Sequence, residues 1–432
     1  MTEISQQTGG AQGQPPGPGQ AARPQLIRAM NEQLLLSHIR QLGVCSRADL
    51  ARLSGLSKPT VSLALANVER SGLVRTAGQR TGVPGRSAVL YEIRPDAGYV
   101  LGLDIGHEYL RGAIADLTGE IRAKAEARSP SGSVSRRVGE LIKLADGICA
   151  AAGIGRADVT QTVLGSPGVY DPSRDAIALT GGLAGWDKRA VLERLRAAFG
   201  PHFAVENDTD AAALAEREHG HGREFASFAF VSIGSGIGMG LVLGGQLHRG
   251  AHGVAGEIAF LPITDGLGVI GGLGGRGGLG GPHADEVRRR GALEAAGSSS
   301  AIVRSARQAG LRATSARQVF AAAAAGDSRA EAIVATEARL VAKAICSIVT
   351  VIDPGLVVLG GGIGQAPGFA AAVAADLAGI SPVLPEIRVS ALGTSAVVDG
   401  CLASGADLAW SRLTSQLAQP DGQPDVQVAS VV

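Results

Sequence analysis

The feature that most constrains the fold of this chain is a set of apolar segments that run into glycine-rich turns. They follow Pro95 and read VLGLDIG, RGAIADL, TVLGSPG, FAFVSIG and LVVLGGG. Helical segments separate them, including the long stretch AEAIVATEARLVAKAICSIVTVI. Apolar strands that alternate with helices predict an α/β fold in which ligands bind at the carboxyl ends of the strands. Two similar strand-and-glycine units, at Asp104 and Ser232, indicate a duplicated lobe.

Composition narrows the class of protein. The chain has 432 residues, of which 45% are hydrophobic and only 3% aromatic, and this length allows about two or three domains. Its four cysteines lie far apart, which argues against a disulfide framework and against a cysteine-built metal site. No apolar stretch is long enough to span a bilayer, and the N-terminus lacks the apolar region of a signal peptide. We therefore expect a cytoplasmic protein without membrane contact.

Charge is distributed unevenly along the chain. From Arg23 to Arg94, 11 Lys and Arg face 4 Asp and Glu, a net charge of +7, whereas the remainder carries −6. A small basic module joined to a mildly acidic body often indicates that the basic part binds a polyanion.

The basic module has the pattern of a winged helix-turn-helix. PQLIRAMNEQLLLSHIRQLG predicts an amphipathic first helix, and SRADLARLSG predicts a second that Ser46 and Asp49 cap and Gly55 ends. LSKPTVSLALANVERSGLV predicts a third helix, capped by Ser57. LVRTAGQRTGVPGRSAVLYEI then reads as a β-hairpin, which would form the wing.

The candidate DNA contacts are polar residues at the start of the third helix and arginines of the hairpin. Small polar side chains there can bond to base edges and phosphates in a major groove, and an arginine at a hairpin tip can enter a minor groove. The predicted contacts are Ser57, Lys58, Thr60, Ser62, Arg80 and Arg86. The alternative is a helical protein-interaction domain with solvated arginines.

From Tyr99 to about Trp410 the chain resembles the ROK family, which comprises repressors, unknown reading frames and sugar kinases. The segments that carry the resemblance are LGLDIG, GSPGVYD, VENDTDAAALAE, VSIGSGIGMG, HGVAGEIAF and LVVLGGGIG. The resemblance implies a two-lobed domain of the hexokinase/actin (ribonuclease H-like) type. The preceding winged helix matches the repressor branch of the family.

Site residues follow from the same resemblance. It implies that Asp208 stands at the catalytic-base position. It also implies that sugar hydroxyl groups are bound by Asp208 together with Asn207, Glu257 and Glu294. Asp104 would lie at the metal and phosphate end of the site. The remaining nucleotide and phosphate-loop positions are Gly106, Gly234, Ser235, Gly236 and Gly361. Two alternatives stay open: Asp208 also suits the N-cap of the helix that follows it, and Glu294 also suits a solvent-facing helix position.

The chain departs from the family's kinases in two places. Where they continue the first loop as DIGGTK, this chain has His107 and Glu108, and a glutamate repels triphosphate oxygens. The family's kinases hold zinc with a histidine and cysteines. In this chain Phe260 stands at the histidine position and Ala292 at the position of the last cysteine. The glycine run GLGVIGGLGGRGGLGGPH lies between these two residues. His252 and His283 are too isolated to form a tetrahedral site, so we expect no zinc and no other cofactor.

These patterns divide the chain into five parts. We expect a disordered tail over 1–22, a winged helix-turn-helix over 23–95, a small lobe over 98–210 that a helix at 395–413 completes, a large lobe over 211–394 and a disordered tail over 414–432.

The predicted function is that of a transcriptional regulator that senses a carbohydrate or its phosphate. Its partners would be duplex operator DNA, a small carbohydrate and further copies of the chain in a dimer or tetramer. One alternative is an ATP-dependent sugar kinase with a DNA-binding domain. Another is a DNA-binding regulator that needs no effector.

Overall fold

The described chain forms two structural units: the first contains the residues up to Ile93 together with the helix end from Leu413, and the second contains Arg94–Arg412. The computed structural model describes residues 24–80, 88–130, 132–180, 183, 185–263 and 282–417. The predicted tail over 1–22, the wing tip with Arg86, and residues 264–281 of the glycine run lie outside the described residues. So does the predicted C-terminal tail from residue 418 onward.

The first unit contains three helices and a three-stranded antiparallel sheet of order β1-β3-β2. Its elements are α1 (Pro24–Leu42), β1 (Cys45–Ser46), α2 (Arg47–Ser54), α3 (Lys58–Arg70), β2 (Val74–Arg80) and β3 (Ala88–Ile93). The helix-turn-helix and the two strands of the wing are therefore present as the sequence predicts.

The capping residues that the sequence singles out define the turn between α2 and α3. Ser46 and Asp49 form the predicted capping box, and Gly55 ends α2 with a φ of 70°, in the left-handed region that glycine adopts without strain. The Ser57 side chain accepts a hydrogen bond from the Thr60 amide and so begins α3. Both helices are thereby fixed at the tight turn that a helix-turn-helix requires.

The second unit begins with a five-stranded sheet of order β10-β7-β4-β5-β6. Its strands are β4 (Tyr99–Ile105), β5 (Tyr109–Asp116), β6 (Ile121–Arg128), β7 (Val159–Ser166) and β10 (Phe203–Asn207), with a small hairpin formed by β8 (Val169–Asp171) and β9 (Ala176–Ala178). Its helices are α4 (Val134–Ala152), α5 (Arg189–Phe199) and α6 (Asp208–His219). Leucine, isoleucine and valine side chains of the sheet and of α4 and α5 form the core of this lobe.

A second five-stranded sheet has the order β13-β12-β11-β14-β15. Its strands are β11 (Phe228–Ile233), β12 (Ile237–Leu243), β13 (Gln246–Leu247), β14 (Leu356–Gly360) and β15 (Glu386–Val389). Its helices are α7 (Pro282–Arg290), α8 (Ala292–Gly297), α9 (Ser299–Gln308), α10 (Ala316–Ala324), α11 (Ser328–Ile352), α12 (Gly361–Gly364), α13 (Phe369–Ala378) and α14 (Ala396–Leu417). The buried helix predicted from residue 330 is α11.

The two sheets repeat one topology. In each, the central strand (β4 or β11) pairs antiparallel with the next strand along the chain and parallel with the fourth strand of its lobe. The duplicated lobe that the two glycine units predict is therefore present.

Two helices, α6 and α14, lie against the inner faces of the sheets. On β4, a Cβ at Gly102 would stand 2.9 Å from the Val398 carbonyl oxygen of α14, and on β12 a Cβ at Gly238 would stand 2.7 Å from the Thr209 hydroxyl of α6. The helices contact each other where Gly400 meets the Ala211 backbone. Glycines at these positions let helix and sheet backbones approach more closely than any side chain would allow.

Two of the predicted boundaries need correction. The last helix does not end at 413 but continues to Leu417, because 414–417 extend the regular helix. The expected lobe boundary between 210 and 211 falls inside α6, which runs unbroken from Asp208 to His219. Within the described part of the chain, no helix is long and apolar enough to cross a membrane.

Replacing Gly400 by alanine should destabilise the second unit by about 1–3 kcal/mol, because a methyl group there overlaps the Ala211 carbonyl and forces α6 and α14 apart. Calorimetry of the second unit's unfolding transition measures the change.

The matched control is Gly147→Ala in α4, where an added Cβ meets no atom within 4 Å. This substitution should stabilise the second unit by about 0.5–1 kcal/mol, because alanine is favoured over glycine at an open position of a helix. Equal effects of the two substitutions would contradict the packing assigned to Gly400.

Candidate functional site

A cleft of about 1610 Å³ opens where β4, β11 and β14 end. Its lining includes residues from both predicted glycine loops and from the third loop after β14, together with two aspartates. From the predicted site it contains Asp104, Gly106, Asp208, Gly234, Ser235 and Gly361. The structure therefore brings together at one cleft residues that are up to 257 positions apart in sequence, counting from Asp104 to Gly361.

The second glycine loop is fixed by backbone contacts. The Gly234 amide donates to the Gly236 carbonyl at 2.9 Å, and the Ser299 amide donates to the Gly234 carbonyl at 2.8 Å. Gly361 has a φ of +75°, and a Cβ there would overlap the Ile233 carbonyl oxygen. The close approach of this third loop to the second thus requires glycine at 361.

Glu294 is not the solvent-facing residue that the sequence left open as an alternative. Its carboxylate is buried, accepts from the Ile237 amide at 2.9 Å and pairs with the Arg290 guanidinium at 2.6 Å. Arg290 also donates to the Ser235 carbonyl at 2.8 Å. Glu294 and Arg290 together hold the second glycine loop against α7 and α8, so both Glu294 oxygens already have protein partners.

Asp104 lies at the end of β4 and is almost completely buried. Desolvation, and then the negative charge of Asp208, raise its pKa to about 7, although Arg111 at 3.4 Å opposes the shift. A carboxyl with a strongly raised pKa in a cleft is a candidate for a functional site.

Asn207, and not Asp208, caps helix α6. Its side-chain oxygen accepts from the Thr209 and Asp210 amides at 2.9 and 3.1 Å, and its amide donates to the Gly168 carbonyl at 3.1 Å. The alternative of Asp208 as the N-cap is therefore wrong, because β10 pairs with β7 through Asn207 and the helix starts one residue later. The Asn207 contact also joins the turn of the GSPGVYD segment to the start of α6.

Asp208 is consequently free to face the cleft. Thr209 donates to one of its oxygens at 3.1 Å, and no described residue bonds the other. Burial raises the pKa of Asp208 to about 6, with the nearby charge of Glu294 adding to the shift and the bonds from Thr209 opposing it.

Glu257 stands beside Asp208 in the same electrostatic environment. Burial raises its pKa to about 7, with Asp208 and Glu294 adding to the shift. No described residue forms a hydrogen bond with its carboxyl group. Glu257 and the second oxygen of Asp208 are thus the acceptor atoms that remain open to a ligand with hydroxyl groups.

A buried ion pair attaches the Glu257 segment to the first lobe. Arg249, eight residues before Glu257, binds the almost fully buried Glu206 at 2.7 Å. The Asp210 carboxyl lies near them, and one of its oxygens is buried without a hydrogen-bond partner among the described residues. Burial and the charge of Glu206 raise the pKa of Asp210 well above its usual range.

His107 and Glu108 occupy the first loop at the cleft, at the positions where the sequence departs from the kinases. Partial burial, followed by the guanidinium charges of Arg137 and Arg290, holds the pKa of His107 below its usual range. The imidazole is therefore mainly neutral at pH 7.

The two described zinc-loop positions do not fit a zinc ion. A Cβ at Gly291 would stand 2.8 Å from the Phe260 amide nitrogen, so Phe260 and Ala292 lie at neighbouring backbone segments, but neither side chain can ligate a metal. Across the described ranges, no three His, Cys, Asp or Glu side chains are arranged to hold a metal ion. His252 is exposed, and the side chain of His283 lies outside the described residues.

In the first unit, the polar start of α3 is accessible. Lys58 and Ser57 are exposed, and Thr60 and Ser62 are half-buried. The Ser57 and Thr60 hydroxyls lie 2.8 Å apart and bond to each other. Arg80, at the end of β2, pairs with Asp49 at 3.6 Å.

The arginines that shape the cleft were not predicted. Arg111, Arg249 and Arg290 each neutralise a carboxylate of the site. Arg290 stands four residues before Glu294, a spacing that a sequence can report. For Arg111 and Arg249, only the fold shows which acid each one meets.

Comparisons with known proteins agree with this architecture. The sequence profile of the ROK family matches residues 100–403. The xylose repressor of Bacillus spizizenii (strain ATCC 23059 / NRRL B-14472 / W23) is 27% identical over 237 residues, which are 55% of this chain and 61% of the repressor. The chain thus spans about 60% of the length of the xylose repressors that it matches.

Solved structures show the same two-lobed fold. The ROK hexokinase of Thermus thermophilus is 29% identical with a TM-score of 0.57, and the alignment covers 72% of this chain and 99% of the hexokinase. A ROK family transcriptional regulator, a homolog of the E. coli MLC protein, is 24% identical with a TM-score of 0.69, and the alignment covers 91% of this chain and 99% of the regulator. The predicted hexokinase-type fold of the second unit is confirmed, and the chain belongs to the ROK family.

Proposed function

We propose that this protein is a sequence-specific DNA-binding transcriptional regulator whose ROK domain binds a sugar or a sugar phosphate. The observation that carries the proposal is the combination of two parts in one chain. A basic winged helix-turn-helix presents the exposed start of α3, and a two-lobed body keeps Asp208 and Glu257 open beside its cleft. The likeness to xylose repressors supports it.

DNA would bind at the start of α3. The hydroxyl groups of Ser57 and Thr60 form a hydrogen bond with each other. Lys58 is therefore the exposed cation best placed to contact a phosphate, and Ser62 follows one helical turn later. Arg80, which pairs with Asp49, and Arg86, which lies outside the described residues, are the further predicted contacts.

The effector would bind at Asp208 and Glu257. Both carboxyls have raised pKa values and unbonded oxygens, so ligand hydroxyl groups can donate to them. Asn207 would donate through its remaining amide hydrogen, whereas the Glu294 carboxylate would act mainly by holding the second glycine loop. Binding there would change the closure of the lobes and, through it, the affinity for DNA.

We expect the protein to act as a homo-oligomer, a dimer or a dimer of dimers. Apolar side chains are exposed at the end of α11 and before β15, on the second lobe: Val351 is 83% exposed, Leu384 57% and Val383 51%. Where such exposed apolar residues form one patch, they often mark protein contacts. Two copies would match a two-fold symmetric operator.

The alternative function is that of an ATP-dependent sugar kinase. Its support is the 29% identity to a ROK hexokinase and the retained Asp208 at the cleft. Glu108 on the first loop disfavours a bound triphosphate. A coupled assay for ADP production over a panel of hexoses separates the two functions, because the regulator should give no sugar-dependent turnover.

The substitution Lys58→Ala should weaken operator binding and reduce the slope of log K against log salt by about one, because one phosphate contact is lost. Fluorescence anisotropy at several salt concentrations measures both quantities. Lys143→Ala, an exposed lysine of α4 in the other unit, should change neither. An unchanged salt slope in Lys58→Ala would remove Lys58 from the interface.

The substitution Asp208→Asn should impair the response to the effector by at least about tenfold while leaving operator affinity intact, because it removes a charged acceptor of ligand hydroxyls. Isothermal titration with the effector and anisotropy with operator DNA separate the two properties. Loss of operator binding in a folded variant would place Asp208 in a different role.

The pH dependence of the same titration has a defined direction. Because burial raises the pKa of Asp208 to about 6 and that of Glu257 to about 7, both lose their protons only as pH rises through this range. Hydroxyl donors prefer the ionised carboxylates, so effector affinity should increase from about pH 5 to pH 8. The step near pH 6 should disappear in Asp208→Asn, and a flat profile in the wild type would contradict the assignment.

A further inference from the structure

The outward face of α3 is apolar. Four side chains of this helix pack into the core of the first unit: Val61, Ala64, Leu65 and Val68. With about 3.6 residues per turn, the positions opposite them are Pro59, Leu63 and Ala66. All three are exposed, and Leu63 has 57% of its surface accessible to solvent. The helix that carries the predicted DNA contacts thus presents a stripe of apolar side chains outward.

Several polar groups of α3 are already bonded within the first unit. The hydroxyl groups of Ser57 and Thr60 bond to each other at 2.8 Å. Asn67, the one amide side chain of α3, donates to the Glu32 carboxylate at 2.7 Å and accepts from Arg70 at 3.1 Å. An amide side chain is the group that bonds an adenine in two places, and this one is engaged elsewhere. Apolar contact is therefore the means of reading bases that α3 leaves exposed.

The charges around the stripe favour DNA over an apolar protein surface. Lys58 precedes the stripe and Arg70 ends it, and both side chains are exposed. The segment from Arg23 to Arg94 carries a net charge of +7. Cores of protein–protein interfaces are depleted of charged residues, whereas duplex DNA places phosphates on both sides of its major groove. A narrow apolar stripe between two cations matches the groove of a duplex.

One base offers an apolar group in the major groove. Thymine presents its 5-methyl group there, while adenine, guanine and cytosine present hydrogen-bond donors and acceptors. The side chain of Leu63 is long enough to reach from the helix to such a methyl group. Ala66, one turn later on the same stripe, has a side chain of a single methyl group and lets the helix approach the bases closely.

We propose that Leu63 contacts the 5-methyl group of a thymine in the major groove and thereby specifies a T·A base pair in each half of the operator. This inference rests on the proposed function, because it requires that α3 binds duplex DNA. It adds a residue that reads sequence by apolar contact to the predicted polar contacts at the start of α3.

The first experiment selects binding sites from a library of random duplexes with the full chain. The wild type should enrich sites that contain thymine at a fixed position of each half-site. Leu63→Ala should lose the preference at that position and keep the others. The matched control is Leu42→Ala, which truncates a leucine that is 48% exposed at the last residue of α1 and should keep every preference.

The second experiment removes single methyl groups from the DNA. In the duplex that the wild type enriches most, each thymine is replaced in turn by deoxyuridine, which lacks only the 5-methyl group. One replacement per half-site should weaken binding by the wild type about fourfold, as expected for one buried methyl group. The same replacement should leave the affinity of Leu63→Ala unchanged, as measured by fluorescence anisotropy. Tolerance of deoxyuridine at every position by the wild type, or an equal loss in Leu63→Ala, would overturn the contact.

Contact between copies of the chain is the competing use of this face, because Leu63 also lines a groove of about 190 Å³ with Ile27 and Asn31 of α1. Light scattering should give Leu63→Ala the same mass as the wild type. A lower mass, with no effect of deoxyuridine, would assign the face to a protein contact and overturn the inference. If the wild type enriches no duplex, the proposed function fails and this inference with it. If it enriches a sequence and tolerates deoxyuridine throughout, only this inference fails.

Discussion

The contact between Gly400 of α14 and the Ala211 backbone of α6 sets the geometry of the second unit. Each helix lies against the inner face of one sheet, again at glycines, so the helix crossing determines how closely the two lobes approach. Because α6 starts at the carboxyl end of β10, its position also fixes Asn207 and Asp208. This packing constraint thereby determines where the cleft carboxyls lie.

The cleft contains several buried carboxyl groups, and only some of them are neutralised by arginines. Asp104, Asp208, Glu257 and Asp210 all have raised pKa values, because burial removes them from water and the charge of a neighbouring carboxyl adds to each shift. Arginines neutralise only some of the acids of the site, and they do so while joining segments: Arg249 fixes the Glu257 segment and Arg290 fixes the second glycine loop. Asp208 and Glu257 stay unpaired, as suits a site that binds hydroxyl groups and releases them.

Local signals in the sequence predicted much of the fold. The helix-turn-helix followed from caps at Ser46, Ser57 and Gly55, and the duplicated sheets followed from the glycine turns at Asp104 and Ser232. Helix caps and glycine turns depend on residues that are neighbours in sequence, so a sequence pattern identifies them directly.

Long-range contacts decided what the sequence left open. Asn207 rather than Asp208 caps α6 because the pairing of β10 with β7 extends to residue 207. Glu294 is buried because Arg290 and the Ile237 amide bind it, and residue 237 lies 57 positions away. Arg137 meets the Gly106 turn across 31 positions. No pattern of spacing in one sequence reports such pairs.

The central claim is that the protein regulates carbohydrate genes by binding specific DNA sites through its first unit. Genome-wide recovery of DNA bound to the full chain, compared with a chain that lacks residues 1–95, tests it most directly. The account predicts discrete sites, with two-fold symmetry, beside genes for carbohydrate transport or catabolism, and it predicts that these sites disappear without residues 1–95. Recovery of no enriched sites, or of the same sites by the truncated chain, would contradict it.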